Sequence, residues 1–251
     1  MMMLGLLGSE IIDCDDHMIV RTSANPTYYW GNFLAVARPL RARDGGRWLK
    51  VFEAEFPTAR HLAIAVDGTT GRTGRPSEVR VLDATIERSA VLTADELQPP
   101  TNQALEVRQL HNSQDWMQLQ ELRRACDERP NTDEQQSYHE HAVRMLRVMS
   151  ERAAGAWFGA FVDDRMRAGL GVFSDGSGVA RYQHVETQPE FCRRGLATTL
   201  LRTAGLYALN ELGARTLVIV ADPADVAICL YRSVGFLDAE VQVQLIKEPV
   251  G

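Results

Sequence analysis

The stretch HVETQPEFCRRGLATTLLRTA, residues 184–204, holds the residue types and spacing best suited to chemistry. It reads as a strand, a turn carrying Pro189, and a helix. Arg193 and Arg194 precede Gly195, and Ala197 falls in the first helical turn. A helix begins with backbone N–H groups that have no partner inside it, at the positive end of its dipole. Such a start binds anions, and a pyrophosphate is a natural guest. Gly195 lets the backbone approach phosphates closely. The small Ala197 leaves room, and the arginines can add charge-assisted contacts. The same residues also describe a basic helix start with no ligand, because short glycine motifs are weak signals. No GxGxxG is present, which disfavours a dinucleotide fold.

The elements that must hold this turn alternate strand and helix. LEVRQL (105–110) alternates apolar and polar, as a strand does. Asn112 or Ser113 caps a helix with Trp116, Leu119 and Leu122 on one face. DEQQSYHEHAVRMLRVMSERAAG opens acidic and ends at Gly155, which fits a helix in dipole sense and C-cap. A hairpin turns around Asp163–Arg165, and VARYQHVET is the next strand. Leu196, Leu200, Ala204, Ala208 and Leu212 lie four apart on a helix face. TLVIVAD reads as a strand buried on both faces. A short helix (Ala224–Ser233) and a last strand, AEVQVQLIK, follow. The order β-α-α-β-β-β-α-β-α-β predicts an α/β fold, a mixed sheet with helices on both faces.

Earlier in the chain, NPTYYWGNFLAVARP reads as an aromatic strand and HLAIAVD as another. RWLKVFEAEFP reads as a helix ended by Pro57. VRVLDATIERSAVL holds one or two more strands. This order echoes the later half in pattern, not in letters. GTTGRTGRPS (68–77) reads as an exposed loop and QPPTNQ (98–103) as a linker. The expected division is therefore a small α/β domain over 1–100 and a larger one over 101–251.

The chain has 251 residues, 45% hydrophobic and 24% charged, with formal charge −6. These values exclude a disordered chain, a collagen and a coiled coil. A basic footprint for nucleic acid is missing, and no run approaches the ~18 apolar residues of a membrane span. The start, MMMLGLLGSEII, lacks a basic n-region and a cleavage site, so it reads as no signal peptide. Cys14, Cys126, Cys192 and Cys229 form no CxxC, which suits free thiols in a reducing cytoplasm. DCDDH (13–17) reads as a solvated acidic loop rather than a metal site, and no metal is expected.

CRRGLA at 192–197 resembles the acetyl-CoA signature of the GNAT superfamily of N-acetyltransferases, written Q/R-x-x-G-x-G/A. VETQP is similar to that family's fourth strand and following proline, and LVIVAD to its fifth. ADVAICLYRSVGF (224–236) resembles the closing A-x-x-L-Y-x-x-x-G-F segment, through Ala227, Leu230, Tyr231, Gly235 and Phe236. The resemblance spans about Leu105 to Glu248. Cys192 stands where the family usually has Gln or Arg, and Ala224 where many members carry Asn. The first hundred residues lack the signature, so a GNAT-like half without a cofactor site is expected there.

The resemblance implies transfer of an acetyl group from acetyl-CoA to a primary amine of a small molecule or peptide, by direct attack. The backbone of Cys192, Arg193, Arg194, Gly195, Leu196 and Ala197 would cradle the phosphates. The backbone of Val185 and Thr187 would pair with the pantetheine arm. A lysine-like amine has a pKa of about 10.4 and must lose a proton. Glu186 and His184, two apart on one strand face, are the candidate bases. Tyr182 shares that face and reads as packing. Tyr231 stands at the family's acid position, beside the leaving thiolate and the cofactor. The alternative reading is a non-catalytic acyl-CoA-binding or regulatory module. A homodimer is possible, and no nucleic-acid or membrane partner is expected.

Overall fold

A computed structural model describes residues 2–6, 8–23, 29–99, 105–127, 133–152 and 154–248. Cα packing groups the chain into two compact units. Unit 1 is Met1–Leu92 with Val220–Asp225 and Asp238–Gly251; unit 2 is Thr93–Ile219 with Val226–Leu237. These groupings are not the continuous segments 1–100 and 101–251. The expected linker at 98–103 lies outside the described residues from position 100 onward.

Unit 1 opens with α1 (Met2–Leu6), β1 (Glu10–Asp13), β2 (His17–Arg21) and β3 (Asn32–Val36). The aromatic strand read over 25–39 thus shortens to β3. Residues 29–31 form a 3-10 turn, and 24–28 lie outside the described residues. DCDDH is a tight connection between β1 and β2, where Arg47 clamps the Asp16 carboxylate at 2.6 and 3.1 Å. α2 (Asp44–Glu55), β4 (Leu62–Val66), α3 (Pro76–Leu82) and β5 (Thr85–Ala94) follow. α3 occupies residues read from sequence as loop and strand. Pro76 at its start presets the helical φ, which outweighs the β-branched Val79 and Val81. β3, α2 and β4 make a parallel crossover. Trp48 and Phe52 of α2 pack with Leu34, Ile64, Val79 and Leu245 in one core.

Unit 2 follows the predicted order. Its elements are β6 (Glu106–Gln109), α4 (Ser113–Cys126), α5 (Asp133–Glu151), β7 (Gly155–Val162), β8 (Arg165–Ser174), β9 (Val179–Thr187), α6 (Leu196–Asn210), β10 (Thr216–Ala221) and α7 (Ala227–Val234). The last strand, β11 (Leu237–Lys247), lies mostly in unit 1, where it pairs antiparallel with β4. The sheet order is β1-β2-β3-β4-β11-β5 in unit 1 and β10-β9-β8-β7-β6 in unit 2. β6 to β9 are antiparallel neighbours, and β9 pairs parallel with β10. The sheet is mixed, as predicted. Asp163 and Asp164 take φ of 51° and 57° at the β7–β8 turn, the left-handed pair that a two-residue hairpin requires.

Asp115 ties β6 to α4. Its carboxylate accepts from both Arg108 Nη atoms at 2.8 and 2.9 Å and from the His111 amide at 3.0 Å. Asn112 closes the capping box by accepting from the Asp115 amide at 2.9 Å. Arg108, with the two backbone N–H groups, holds the Asp115 carboxyl below the usual aspartate range, although burial opposes this. The Asp115→Ala variant is expected to lose about 2–3 kcal/mol in denaturant unfolding, from one cap and one charge-assisted pair. In the native protein this contribution is complete above the ordinary aspartate pKa. It disappears only as pH falls through the lowered folded value, and the variant should lack that acid-side loss.

Candidate functional site

The turn after β9 is the stretch read from the sequence as an anion cradle. A 3-10 turn at Pro189–Phe191 leads to Arg193 and Gly195, which take φ of 60° and 82°. Gly195 is the N-cap of α6, and no side chain caps that helix. The first amides of α6 therefore stay uncommitted to the helix. A Cβ on Gly195 would meet no atom within 4 Å, so the glycine serves its positive φ and leaves open space above the amides. Arg167 and Arg194 lie over the Phe191 ring at 4.5 and 4.6 Å. The Cys192 thiol turns back toward the Thr187 and Gln188 carbonyls, at 3.9 and 3.8 Å. Leu196 is core at 1% exposure, so only its backbone faces the cradle.

β9 parts from β10 beside this cradle. Their pairing runs from Val179–Thr216 to Arg181–Val218 and stops, although β9 continues to Thr187. Val185 and Thr187 lie past the last pair. On its other edge β9 still pairs with β8, Thr187 against Ala168.

β9 also carries a bulge. Its register with β8 jumps from Gly171–Gln183 to Gly169–Glu186, and His184 takes φ of 47°. An extra residue reverses the face of everything beyond it. Tyr182 therefore does not share a face with Glu186, which corrects the expectation from period two. The Tyr182 hydroxyl donates to the Leu201 carbonyl of α6 at 2.7 Å; it packs, as read. Gln183 and Glu186 face α4 instead.

Trp157 forms the floor of this α4 side. Its indole lies across Gly171 and beside Gly169, and a Cβ on Gly171 would meet Trp157 Cε3 at 2.5 Å. The absence of two side chains lets the indole reach β9, where it stacks near His184 at 6.2 Å and 30°. Arg123 of α4 completes the group. It is 7% exposed, with Nη2 3.7 Å from Glu186 Oε1. Arg123 Nε and Nη1, Trp157 Nε1, Gln183 Nε2 and Glu186 Oε2 are buried without a hydrogen bond. The structure thus gathers His184 and Glu186 with Arg123 and Trp157, which were missed in the sequence. The alternating Gly169 and Gly171 were the available signal, since glycines in a strand mark close approach.

Burial pushes the Glu186 carboxyl above the usual range, with Asp127 adding to the rise and Arg123 opposing it. The His184 pKa is lowered by the packing of its ring away from water, then by Arg123 and Arg181, although the residue as a whole is exposed. Cys126, at the end of α4, is pushed up to about 12 by burial and by Glu186, so its thiol is no nucleophile. Tyr231 sits on α7, 6% exposed, in that helix's buried stripe with Ile228 and Val234. Its carbonyl accepts from the amide of Phe236, which meets Tyr182 edge-on at 5.7 Å.

The crossover in unit 1 starts differently. Arg43 takes φ of 71° before α2, but the chain's own carboxylates fill the position. Asp44 accepts from the Arg41 amide and from Arg38, both at 2.7 Å. Glu78 accepts from the Gly45 amide at 3.1 Å.

A mixed α/β sheet with one strand pair splayed beside an uncapped helix defines the architecture, and comparison with known proteins identifies it. Residues 116–236 match the model of the acetyltransferase (GNAT) family. That segment is a GNAT acetyltransferase domain. No curated protein matches the chain. Among solved structures, a functionally unknown conserved protein from Staphylococcus epidermidis superposes with a TM-score of 0.77 at 16% identity, over 97% of this chain and 96% of that one. A GCN5-related N-acetyltransferase from Kribbella flavida gives 0.68 at 17%, over 99% and 93%. A tandem GNAT protein from the clavulanic acid biosynthesis pathway gives 0.60 at 15%, over 97% and 84%. At these identities the likeness is one of fold. No described helix is long and apolar enough to cross a membrane.

The glycine floor makes a graded prediction. Gly171→Ala drives a methyl into Trp157 and Phe173, at 2.5 and 2.7 Å. Gly169→Ala meets its neighbours only at 3.3–3.4 Å. Denaturant unfolding should show a loss of about 1–3 kcal/mol for the first and a smaller one for the second. Equal losses would mean that Trp157 is not wedged there.

Proposed function

We propose that the protein is an acetyl-CoA-dependent N-acetyltransferase that acts on a primary amine by direct attack. One observation carries the reading: β9 leaves β10 after Arg181–Val218, and α6 starts uncapped at the end of that opening. The unpaired edge suits a peptide-like pantetheine arm, and the open amides suit phosphates. A Cβ built on Gly195 would meet no atom within 4 Å, so the space above these amides has room for a phosphate. Amides of Cys192 to Ala197 would hold the phosphates, with Arg193 and Arg194 adding charge. The backbone of Val185 and Thr187 would hold the arm. Acetyl-CoA supplies the activated acetyl thioester.

Glu186 is the base. It takes a proton from the acceptor ammonium, and the neutral nitrogen then bonds to the acetyl carbon as the C–S bond breaks. His184, whose pKa is lowered by the packing of its ring and by Arg123 and Arg181, is the weaker base of the two. An amide N–H of β9 polarises the carbonyl. Tyr231 hands a proton to the departing thiolate, whose ordinary pKa is near 8.5 against about 10 for a tyrosine. The product nitrogen gives up its second proton in exchange.

Calorimetric titration with acetyl-CoA tests the reading, with NADH for comparison. Saturable one-to-one binding of acetyl-CoA alone is expected. Tyr231→Phe should leave that titration unchanged and lower turnover strongly. No binding up to about millimolar ligand, a free energy weaker than about −4 kcal/mol, would overturn the reading and leave a fold without this activity.

The base has its own signature. Glu186 must be ionised, and burial raises its pKa. Activity is therefore complete above that value and declines as pH falls through it, at higher pH than an exposed glutamate would show. Glu186→Gln should remove this acid limb and lower kcat/KM by about 10²–10⁴-fold. An unchanged limb would assign the proton transfer elsewhere.

A further inference from the structure

The buried face under α4 is unfinished in a particular way. Arg123 is 7% exposed, yet its Nε and Nη1 have no hydrogen-bond partner. Its third nitrogen stands 3.7 Å from Glu186 Oε1, beyond hydrogen-bond reach. Trp157 Nε1 and Gln183 Nε2 are further buried donors without partners, and Glu186 Oε2 is a buried acceptor without one. These groups belong to one patch. Gly169 lies opposite Glu186, Gly171 opposite Gln183, and the Trp157 indole covers both glycines. Folded proteins rarely leave buried polar atoms unmet, because each has given up its hydrogen bonds to water without replacement. A ligand that meets them must bring acceptor atoms for the guanidinium and indole, and a donor for the carboxylate.

We infer that the acceptor is a free amino acid or a close relative, with a carboxylate beside its amine. This rests on the acetyltransferase reading above. The carboxylate meets Arg123 with help from Trp157 Nε1, and the ammonium meets Glu186. A cation and an anion side by side match a zwitterion of opposite order. A polyamine or a lysine side chain would satisfy Glu186 and leave Arg123 Nε and Nη1 buried without a hydrogen bond. The N-terminal amine of a peptide has an amide where the carboxylate belongs, and so offers Arg123 one neutral oxygen. The reaction balances without further reagents. The ammonium loses one proton to Glu186, the nitrogen joins the acetyl carbon, and the thiolate leaves with its electron pair. The second nitrogen proton goes to that thiolate, giving an N-acetyl amino acid and free thiol.

The test compares matched series on the full chain with acetyl-CoA: standard free L-amino acids, their methyl esters, and the amines left by removing the carboxyl group. At least one acid should outrun its own ester and amine by about tenfold to a hundredfold in kcat/KM, the size of one charge-assisted contact. In Arg123→Met the acid-to-amine ratio should collapse toward unity, and Arg123→Lys should restore part of it. A role in folding alone would lower stability and leave the ratio unchanged. The wild-type series needs no variant. Esters or amines that match or exceed their acids overturn the inference, and so does a lack of turnover with every acid. In that last case the acetyl-CoA titration separates the causes. Intact binding means the acceptor class is wrong, and absent binding means the underlying acetyltransferase reading has failed.

Discussion

Between the Gly171–Gln183 and Gly169–Glu186 pairs, β8 advances past Leu170 alone while β9 advances past both His184 and Val185. An antiparallel pair absorbs such a mismatch only by bending one strand and setting a residue in an unusual conformation. His184 takes that conformation. Before the bulge, Tyr182 anchors the strand to α6 through its hydroxyl. After it, Glu186 faces Arg123 on the opposite side of the sheet. Regular pairing with β10 ends just before it. Faces, opening and charge pair thus trace to one strand irregularity, held in place by packing on both sides.

What is absent matters as much as what is present. Gly169 and Gly171 let one indole cross a strand and become a floor. Gly195 leaves clear space above the helix start. At the corresponding crossover in unit 1, Glu78 lies on the Gly45 amide and Arg38 is bound to Asp44. Two helices of similar placement therefore meet opposite fates. One presents uncommitted amides to solvent, and the other spends them on its own chain. An internal carboxylate is always at hand, so it outcompetes a dilute external anion.

The parts legible in the sequence were the local ones. CRRGLA could be read because a left-handed glycine at a helix start is written in one residue type. The order of elements in unit 2 followed from apolar periodicity, which packing then obeyed. Arg123 and Trp157 were not legible, because their importance depends on which strand residues lie opposite them. The face of Tyr182 was misread for the same reason: counting by two assumes that no residue is extra. α3 was misread because Val79 and Val81 favour strands, while Pro76 and the packing of Val79 and Leu82 into the core of unit 1 decide for helix.

Unit 1 is closed by a strand that follows unit 2 in sequence. β11 lies between β4 and β5 in its sheet, although most of unit 2 separates it from both in sequence. On the ribosome, synthesis runs from the first residue to the last. The β4 edge at Leu62–Val66 therefore waits, with its hydrogen-bonding groups unmet, until Leu237–Lys247 has been made. Domains that are continuous in sequence can fold as they emerge; this one cannot finish until β11 has emerged. An incomplete chain released by a premature stop would carry an exposed strand edge, the kind of surface that chaperones and proteases recognise. The arrangement makes synthesis through β11 a condition for the stability of unit 1.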